Sequence, residues 1–387
     1  MLKDAAPHPE SFVLENARLV LPDAIVHGWL AVARGAIVQI GEGAAPERGI
    51  DCGGDTIIPG LIELHTDHLE SHYAPRPKVR WHPLGAALAY DAQIAASGIT
   101  TVFDSLRAGT DPDGDAMGRE LFTLAEAIDE GRRHRLFRAE HFTHLRCEVP
   151  ARDVVELVEN YAAIYPVAMI SLMDHTPGQR QFRDLTQYFV YYGRKHGKTD
   201  AQVEAQVAEK QRVNADLVAQ NRPALVAIAR SRGITLASHD DTTVADVRES
   251  HESGVLIAEF PTTIEAAQAS RDCGITVMMG APNLIRGGSH SGNVAAHTLA
   301  EHGLLDVLSS DYVPASLMMA AFALPGRVSS ITLPEAIRTV TLNPARATGL
   351  NDRGAIEPGL RADLVRVRLS GETPVVRQVW RAGERVA

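Results

Sequence analysis

The stretch PGLIELHTDHLESH, residues 59–72, crowds His65, Asp67, His68, Glu70 and His72 directly behind an apolar run. On a strand, residues two apart share a face, so His65 and Asp67 point together while Thr66 points away. Imidazole nitrogen and carboxylate oxygen are the donors that zinc, manganese and similar divalent ions accept. A single His-x-Asp pair arises often by chance; recurrence gives it weight. Arg107 follows VFDSL, FTHLRCEV sets His144, Arg146 and Glu148 at alternate positions, and ISLMD leads into His175. TLASHDD supplies His239, Asp240 and Asp241, and VLSSD ends in Asp311. As a set these strand-end groups point to metal binding, with His65, Asp67, Glu148, His175, His239 and Asp311 as the candidates whose individual roles rest on the resemblance given below. They would serve one or two divalent ions, zinc first and manganese as the alternative. Taken alone, His175 or His239 would more often be a hydrogen-bonded structural residue. His68, Glu70 and His72 are read as partners that orient the ligands.

Cationic and glycine-rich segments accompany these groups. Arg76, Lys78 and Arg80 alternate in YAPRPKVRWHP, and Arg107, Arg146, Arg180 and Arg183 follow later apolar runs. APNLIRGGSHSGN, residues 281–293, gathers Asn283, Arg286, Ser289 and His290 among small residues. Backbone N–H groups in such a loop can approach a phosphate closely. Any one arginine is by default a solvated charge, so the glycine-rich loop is the more specific sign. The Gly-Lys-Ser/Thr of a P-loop is missing. The expected anion-binding residues are Arg107, Arg146, Arg180, Asn283, Arg286, Ser289 and His290.

Such scattered groups need a frame that brings them to one place. Between residues 56 and 346 eight apolar runs alternate with helical segments: TIIPGLIEL, GITTVFDSL, RLFRAEHFTHLRCEV, VAMISLMD, GITLASHD, VLIAEF, GITVMMGAP and LDVLSSD. Continuous hydrophobicity is what strands buried on both faces require. PLGAALAYDAQIAASG and TIEAAQASRDCG read as helices between them, the second closed by a glycine stop. Eight βα units predict an α/β fold, a (β/α)8 TIM-type barrel whose active sites form at the C-terminal ends of the strands. Polar residues stand there in nearly every run. Residues 183–232 are long for one crossover and read as an inserted helical pair. The two ends differ from the middle. Residues 1–55 and 347–387 carry short Val-, Ile- and Leu-rich runs between turns, predicting a small β-sandwich-like domain built from both termini.

Composition narrows the partners. A chain of 387 residues suffices for one large domain with a small companion. Hydrophobic residues at 45% and charged residues at 22% argue against disorder. A net charge of −10 argues against general affinity for nucleic acid or anionic membrane, so an anionic substrate must be won locally. Cys52, Cys147 and Cys273 stand far apart, which fits a reducing compartment better than disulfides. The start, MLKDAAPHPESF, lacks the apolar core of a secretory signal, and no run reaches the ~18 apolar residues of a membrane span. A soluble cytoplasmic protein is expected, with a homodimer as the default assembly.

The His of PGLIELHTD, Asp311, the eight βα units and the two-ended β domain resemble the amidohydrolase superfamily of metal-dependent hydrolases. NPARATGLNDRGAIEPGLRADLVRV, residues 343–367, is similar to that superfamily's return from barrel to β domain. IELHTDHLESHYAPRPKVRW, GITTVFDSLRAG, HFTHLRCEV, SLMDHTPGQRQF, SHDD, GAPNLIRGGSHSGN and LSSDYVPASL resemble its branch in the carbon–phosphorus lyase pathway of phosphonate use. That resemblance implies hydrolysis of a ribose 1-methylphosphonate 5-triphosphate to the 5-phosphate and pyrophosphate. The substrate would be a small phosphorylated sugar, with other phosphonate-pathway enzymes as metabolic neighbours. It implies roles as well: Asp311 would ligate metal and accept a proton from water, and Glu148 would be a catalytic carboxylate bridging two ions. His65 and His239 would be ligands from the first and fifth strands. Where the superfamily commonly shows His-x-His after strand one, this sequence has Asp67. The sixth run ends in Glu259 where many members place histidine, so Glu259 or His175 would complete the set. Two readings compete. Amide hydrolysis or deamination would need the ion but not the arginines, and a non-enzymatic scaffold would retain no metal.

Overall fold

Terminal and central segments sort into two sheets by the way their hydrophobicity alternates. The computed structural model describes residues 11–110, 116–178, 180, 200–289 and 292–387. From the N-terminal side come β1 (Phe12–Val20), β2 (Ile25–Ala33), β3 (Ala36–Glu42), β4 (Ile50–Asp51) and β5 (Thr56–Pro59). The first three form an antiparallel meander, whose buried side chains Leu14, Leu30 and Ile37 share one small core with Ile57 and Trp380.

The central strands follow as β6 (Leu61–Thr66), β7 (Ile99–Ala108), β8 (Glu140–Glu148), β9 (Met169–Met173), β10 (Thr235–His239), β11 (Ile257–Glu259), β12 (Thr276–Gly280) and β13 (Val307–Ser309). Each runs parallel to the one before it, and they pair in chain order. Residues Ile62, Leu64, Phe103, Met169, Ala237, Ile257, Met278 and Val307 fill the barrel interior below the strand ends. The seam between β6 and β13 is closed by a parallel bridge from Thr66 to Asp311. Glu63, fully buried there, accepts from Ser309 Oγ at 2.8 Å and from Ser310 N at 2.5 Å. All eight expected barrel runs are strands, and the fold is the (β/α)8 barrel with a second sheet from the termini.

The chain returns as β14 (Leu364–Ser370), β15 (Thr373–Arg381) and β16 (Glu384–Arg385). β14 pairs with β5, which itself pairs in parallel with β1, so both ends of the chain enter one mixed sheet. Thr56–Pro59, expected to open the first barrel strand, belongs instead to this sheet. The switch falls at Gly60, where a Cβ would lie 2.2 Å from Thr100 Oγ1. Only glycine lets the backbone pass that close to β7.

Within 183–232, residues Asp200–Arg232 form one continuous helix of 33 residues, and 183–199 lie outside the described residues. The helix fastens the loops that follow β8 and β9. Asn221 Nδ2 donates to the carbonyls of Val149 and Ala151 at 2.8 Å each, and Asn214 Nδ2 donates to Thr176 Oγ1 at 2.8 Å. Among the described residues no helix is long and apolar enough to cross a membrane.

Candidate active site

Three strand ends bring nitrogen and carboxylate donors into one buried cluster. His65 comes from β6, His239 ends β10 and Glu259 ends β11, and one ligand atom of each lies within 4.8 Å of the other two. Glu259 sits between the imidazoles, with Oε1 3.1 Å from His65 Nδ1 and Oε2 3.1 Å from His239 Nδ1. His65 Nδ1 and Glu259 Oε1 are close but misdirected, and neither makes a hydrogen bond. Leaving a buried polar atom unpaired costs ~1–3 kcal/mol. A divalent ion would satisfy both at once, and two imidazoles with a carboxylate are donors that zinc or manganese takes. The residues present fit such an ion. Burial disfavours charge on both partners, yet each favours the other's: His65 is raised above the ordinary histidine pKa and Glu259 is held well below the carboxylate range.

A second cluster adjoins the first through His239 and adds His175 and Asp240. Glu148 reaches it indirectly. Its carboxylate accepts from the His175 backbone N at 3.1 Å and lies 2.7 Å from His175 Nδ1, while Arg107 Nη2 donates to it at 3.3 Å. Burial opposes ionisation of Glu148, but His175 and Arg107 outweigh it and hold the pKa at about 2.

Backbone strain concentrates at the same mouth. Asp240, Phe260 and Asp311 have φ of 56°, 55° and 54°, each within two residues of a barrel strand's end. A non-glycine residue in the left-handed region costs ~1–3 kcal/mol, and such residues gather at sites where geometry outranks stability. All three line a cavity of about 220 Å³ together with His65, His175 and His239. Arg146, Asn283, Arg286 and Ser289 belong to its polar wall. Asn283 also pins its loop, accepting from Ala296 N at 2.9 Å. Burial raises the Asp311 pKa above the usual aspartate value.

Other expected residues are placed elsewhere. Asp67 joins neither cluster and accepts from Arg146 Nη1 at 2.9 Å. Arg107 is turned to Glu148. Arg180 is buried behind β10, donating to Asp241 and to the His239 carbonyl, so its charge is already neutralised. Neither arginine lines the cavity. Among the described residues the Nε2 of His68 and of His72 each lies 3.1 Å from Gln93 Oε1, not from a candidate ligand, fastening helix His68–Tyr73 to helix Pro83–Ala96. His290 and Arg183 lie outside the described residues.

The support beneath the cluster comes from residues that were not singled out as a set. Glu63 accepts from His65 N at 2.6 Å, fixing the first histidine to the barrel seam. Ser171 Oγ donates to Glu259 Oε2 at 2.7 Å and also contacts His144 Nε2. Burial first, then the nearby positive charges, lower the His144 pKa to about 3, so it is a neutral hydrogen-bonding residue. Glu63 stands two residues before His65, and the alternation of a strand is the signal that puts both on one face.

The amidohydrolase family matches residues 91–387 of this chain. The alpha-D-ribose 1-methylphosphonate 5-triphosphate diphosphatase of Escherichia coli (strain K12) is 48% identical over 377 residues, covering 97% of this chain and 100% of the relative. An imidazolonepropionase of Deinococcus deserti is 26% identical over 87% of this chain and 85% of its own length. Among solved structures, 5-methylcytosine deaminase from Klebsiella pneumoniae superposes with a TM-score of 0.67 at 14% identity, covering 97% of each chain. N-acetyl-D-glucosamine-6-phosphate deacetylase from Mycobacterium smegmatis gives 0.61 at 18% identity, over 97% of this chain and 100% of that one. At such identities the two structures speak for the fold alone.

Proposed function

The chain belongs to the amidohydrolase family, and from that premise we propose that it cleaves the 5-triphosphate of α-D-ribose 1-methylphosphonate 5-triphosphate. Pyrophosphate leaves and the 5-phosphate remains. What carries this reading is the end-to-end similarity to the Escherichia coli diphosphatase, and the chemistry of the mouth agrees with it. Proteins of this family generally bind divalent metals; here zinc is the first choice, held by His65, His239 and Glu259. His175 and Asp240 are the candidates for a second position, with Glu148 fixing His175. An ion there would supply Lewis acidity and would lower the pKa of water to ~7.

The remaining work falls to the chain's own groups. Asp311 faces the cavity beside the cluster and takes the proton of the attacking water, a task that suits a carboxylate whose pKa burial has raised. Arg146 and Arg286 bind phosphoryl oxygens, where negative charge spreads as the bond to the leaving pyrophosphate lengthens. Asn283 and the glycine-rich turn after it shape the far wall. Glu63 and Ser171 keep the ligands in place. The substrate is thus a small phosphorylated sugar whose charge is met locally, on a chain that is negative as a whole.

Phosphorus NMR of the metal-reloaded protein with this triphosphate tests the assignment. Metal-dependent release of pyrophosphate, abolished in Asp311→Asn, is the expected result. Successive release of orthophosphate would keep a hydrolase but move the bond that breaks. No turnover with metal bound, alongside activity on cyclic amides, would hand the site to the amide-hydrolysing members of the family.

A further inference from the structure

Building on the triphosphate reading, we propose that Asp67 is a positioning residue for Arg146 and not a metal ligand. Together they present the unbonded Nη2 of the guanidinium to a phosphoryl group seated at the ion cluster. Asp67 stands two residues after His65, where a ligand is expected, yet its side chain is 30% exposed while those of His65 and Glu259 are buried. Both ligand clusters close without it. Its Oδ2 instead accepts from Arg146 Nη1 at 2.9 Å.

Arg146 rises from β8 into the cavity wall with its side chain only 16% exposed. Its Nε is buried and has no hydrogen-bond partner, and among the described residues only Nη1 is engaged. Nη2 is neither bonded nor sealed off among the described residues, so it is left to donate to a phosphate oxygen, and the planar guanidinium aims it. An arginine with Nη2 unbonded, on a wall shared with His65, His239 and Asp311, is set to hold a phosphoryl group beside the ion. Anchoring by Asp67 removes rotamer freedom before the anion arrives, so less is lost on binding. A lysine could not replace the fork.

The test measures pyrophosphate binding by titration calorimetry and bound zinc by elemental analysis, on the same zinc-loaded samples. Wild type, Asp67→Asn, Arg146→Lys and the double variant are compared, with melting temperatures as a check on folding. Asp67→Asn should keep its zinc and its melting temperature but bind pyrophosphate about tenfold more weakly, in the range of a lost charge-assisted contact. Arg146→Lys should lose at least as much. The double variant should be no weaker than Arg146→Lys, because Asp67 acts only through the arginine, and Asp67→Glu should recover part of the loss. Zinc lost from Asp67→Asn would make Asp67 a ligand and overturn the proposal. Unchanged pyrophosphate affinity, additive losses, or a wild type that does not bind pyrophosphate would overturn it equally. A wild type that binds pyrophosphate through this pair but leaves the triphosphate intact would sink the substrate assignment and leave the clamp standing.

Discussion

The two ends of the barrel hold cavities of opposite character. At the N-terminal end of β13, a groove of about 880 Å³ opens between the barrel and the Pro22–Asp23 turn of the terminal sheet. The cavity at the mouth is about a quarter of that size. In the larger groove two sets of charges have partners: Arg271 pairs with Asp306 at 2.7 Å, and Arg338 with Asp23 and Glu335. At the mouth, His65 Nδ1, Glu259 Oε1 and Arg146 Nε are buried with no hydrogen bond, and three residues around them are held in the left-handed region. Paired charges stabilise a fold, whereas strained backbone and unpaired donors persist where a ligand completes them. Room alone does not mark a site.

The difference can be broken at either end. The largest effect is expected from Glu259→Gln, which removes the carboxylate shared by both imidazoles. Zinc affinity should fall at least about 100-fold and turnover on the order of 1,000-fold, since even outer partners of a metal site cost 10–100-fold. Metal content and pyrophosphate release, followed in one preparation, would show it. Full metal content with full activity would remove Glu259 from the account.

A buried cluster with complete partners should behave in the contrary way. His141 lies between Asp104 at 2.9 Å and Asp91 at 3.2 Å, and Tyr90 OH donates to Asp104 at 2.9 Å. Burial opposes charge on His141, but the two aspartates outweigh it and raise the pKa to about 9. A raised folded-state pKa means that the stabilisation is complete below the unfolded value of ~6.5 and disappears as the pH climbs through about 9. His141→Gln should therefore cost about 3 kcal/mol at pH 6 and much less at pH 9.5, read from urea midpoints, with kcat nearly unchanged. A variant equally destabilised at both pH values would refute the charged histidine.

The smallest effect is expected in the large groove. Arg271 and Asp306 are 43% and 27% exposed, so Arg271→Ala should cost under ~1 kcal/mol and leave turnover within about twofold of wild type. A tenfold loss of activity there would mean that the groove takes part in function after all.

Most of the frame was legible in the sequence, because strands buried on both faces leave continuous apolar runs. The exception, Thr56–Pro59, runs apolar straight into β6, and the switch between sheets falls at Gly60, close against Thr100. His65, His175, His239 and Asp311 were legible as polar residues at strand ends, and the structure gathers them around one cavity. Spacing could not tell which arginine reaches the cavity. Arg180 and Arg146 look alike in the sequence, but Asp241 and Glu249 surround the first away from the cavity, while the second, paired with Asp67, lies on the cavity wall. The partners that decide this come from segments far along the chain. Glu63 and Ser171 went unread for a related reason: a buried carboxylate or hydroxyl shows its role only through the donors folded against it.

The central claim is that the ion sits in the smaller cavity, between His65, His239 and Glu259. Anomalous scattering from a crystal of the manganese-loaded protein measures this directly. A difference peak within bonding distance of those three side chains is predicted, with none against Asp67 and none in the larger groove. A peak ligated by Asp67, or no peak at the mouth while the large groove is occupied, would contradict the account.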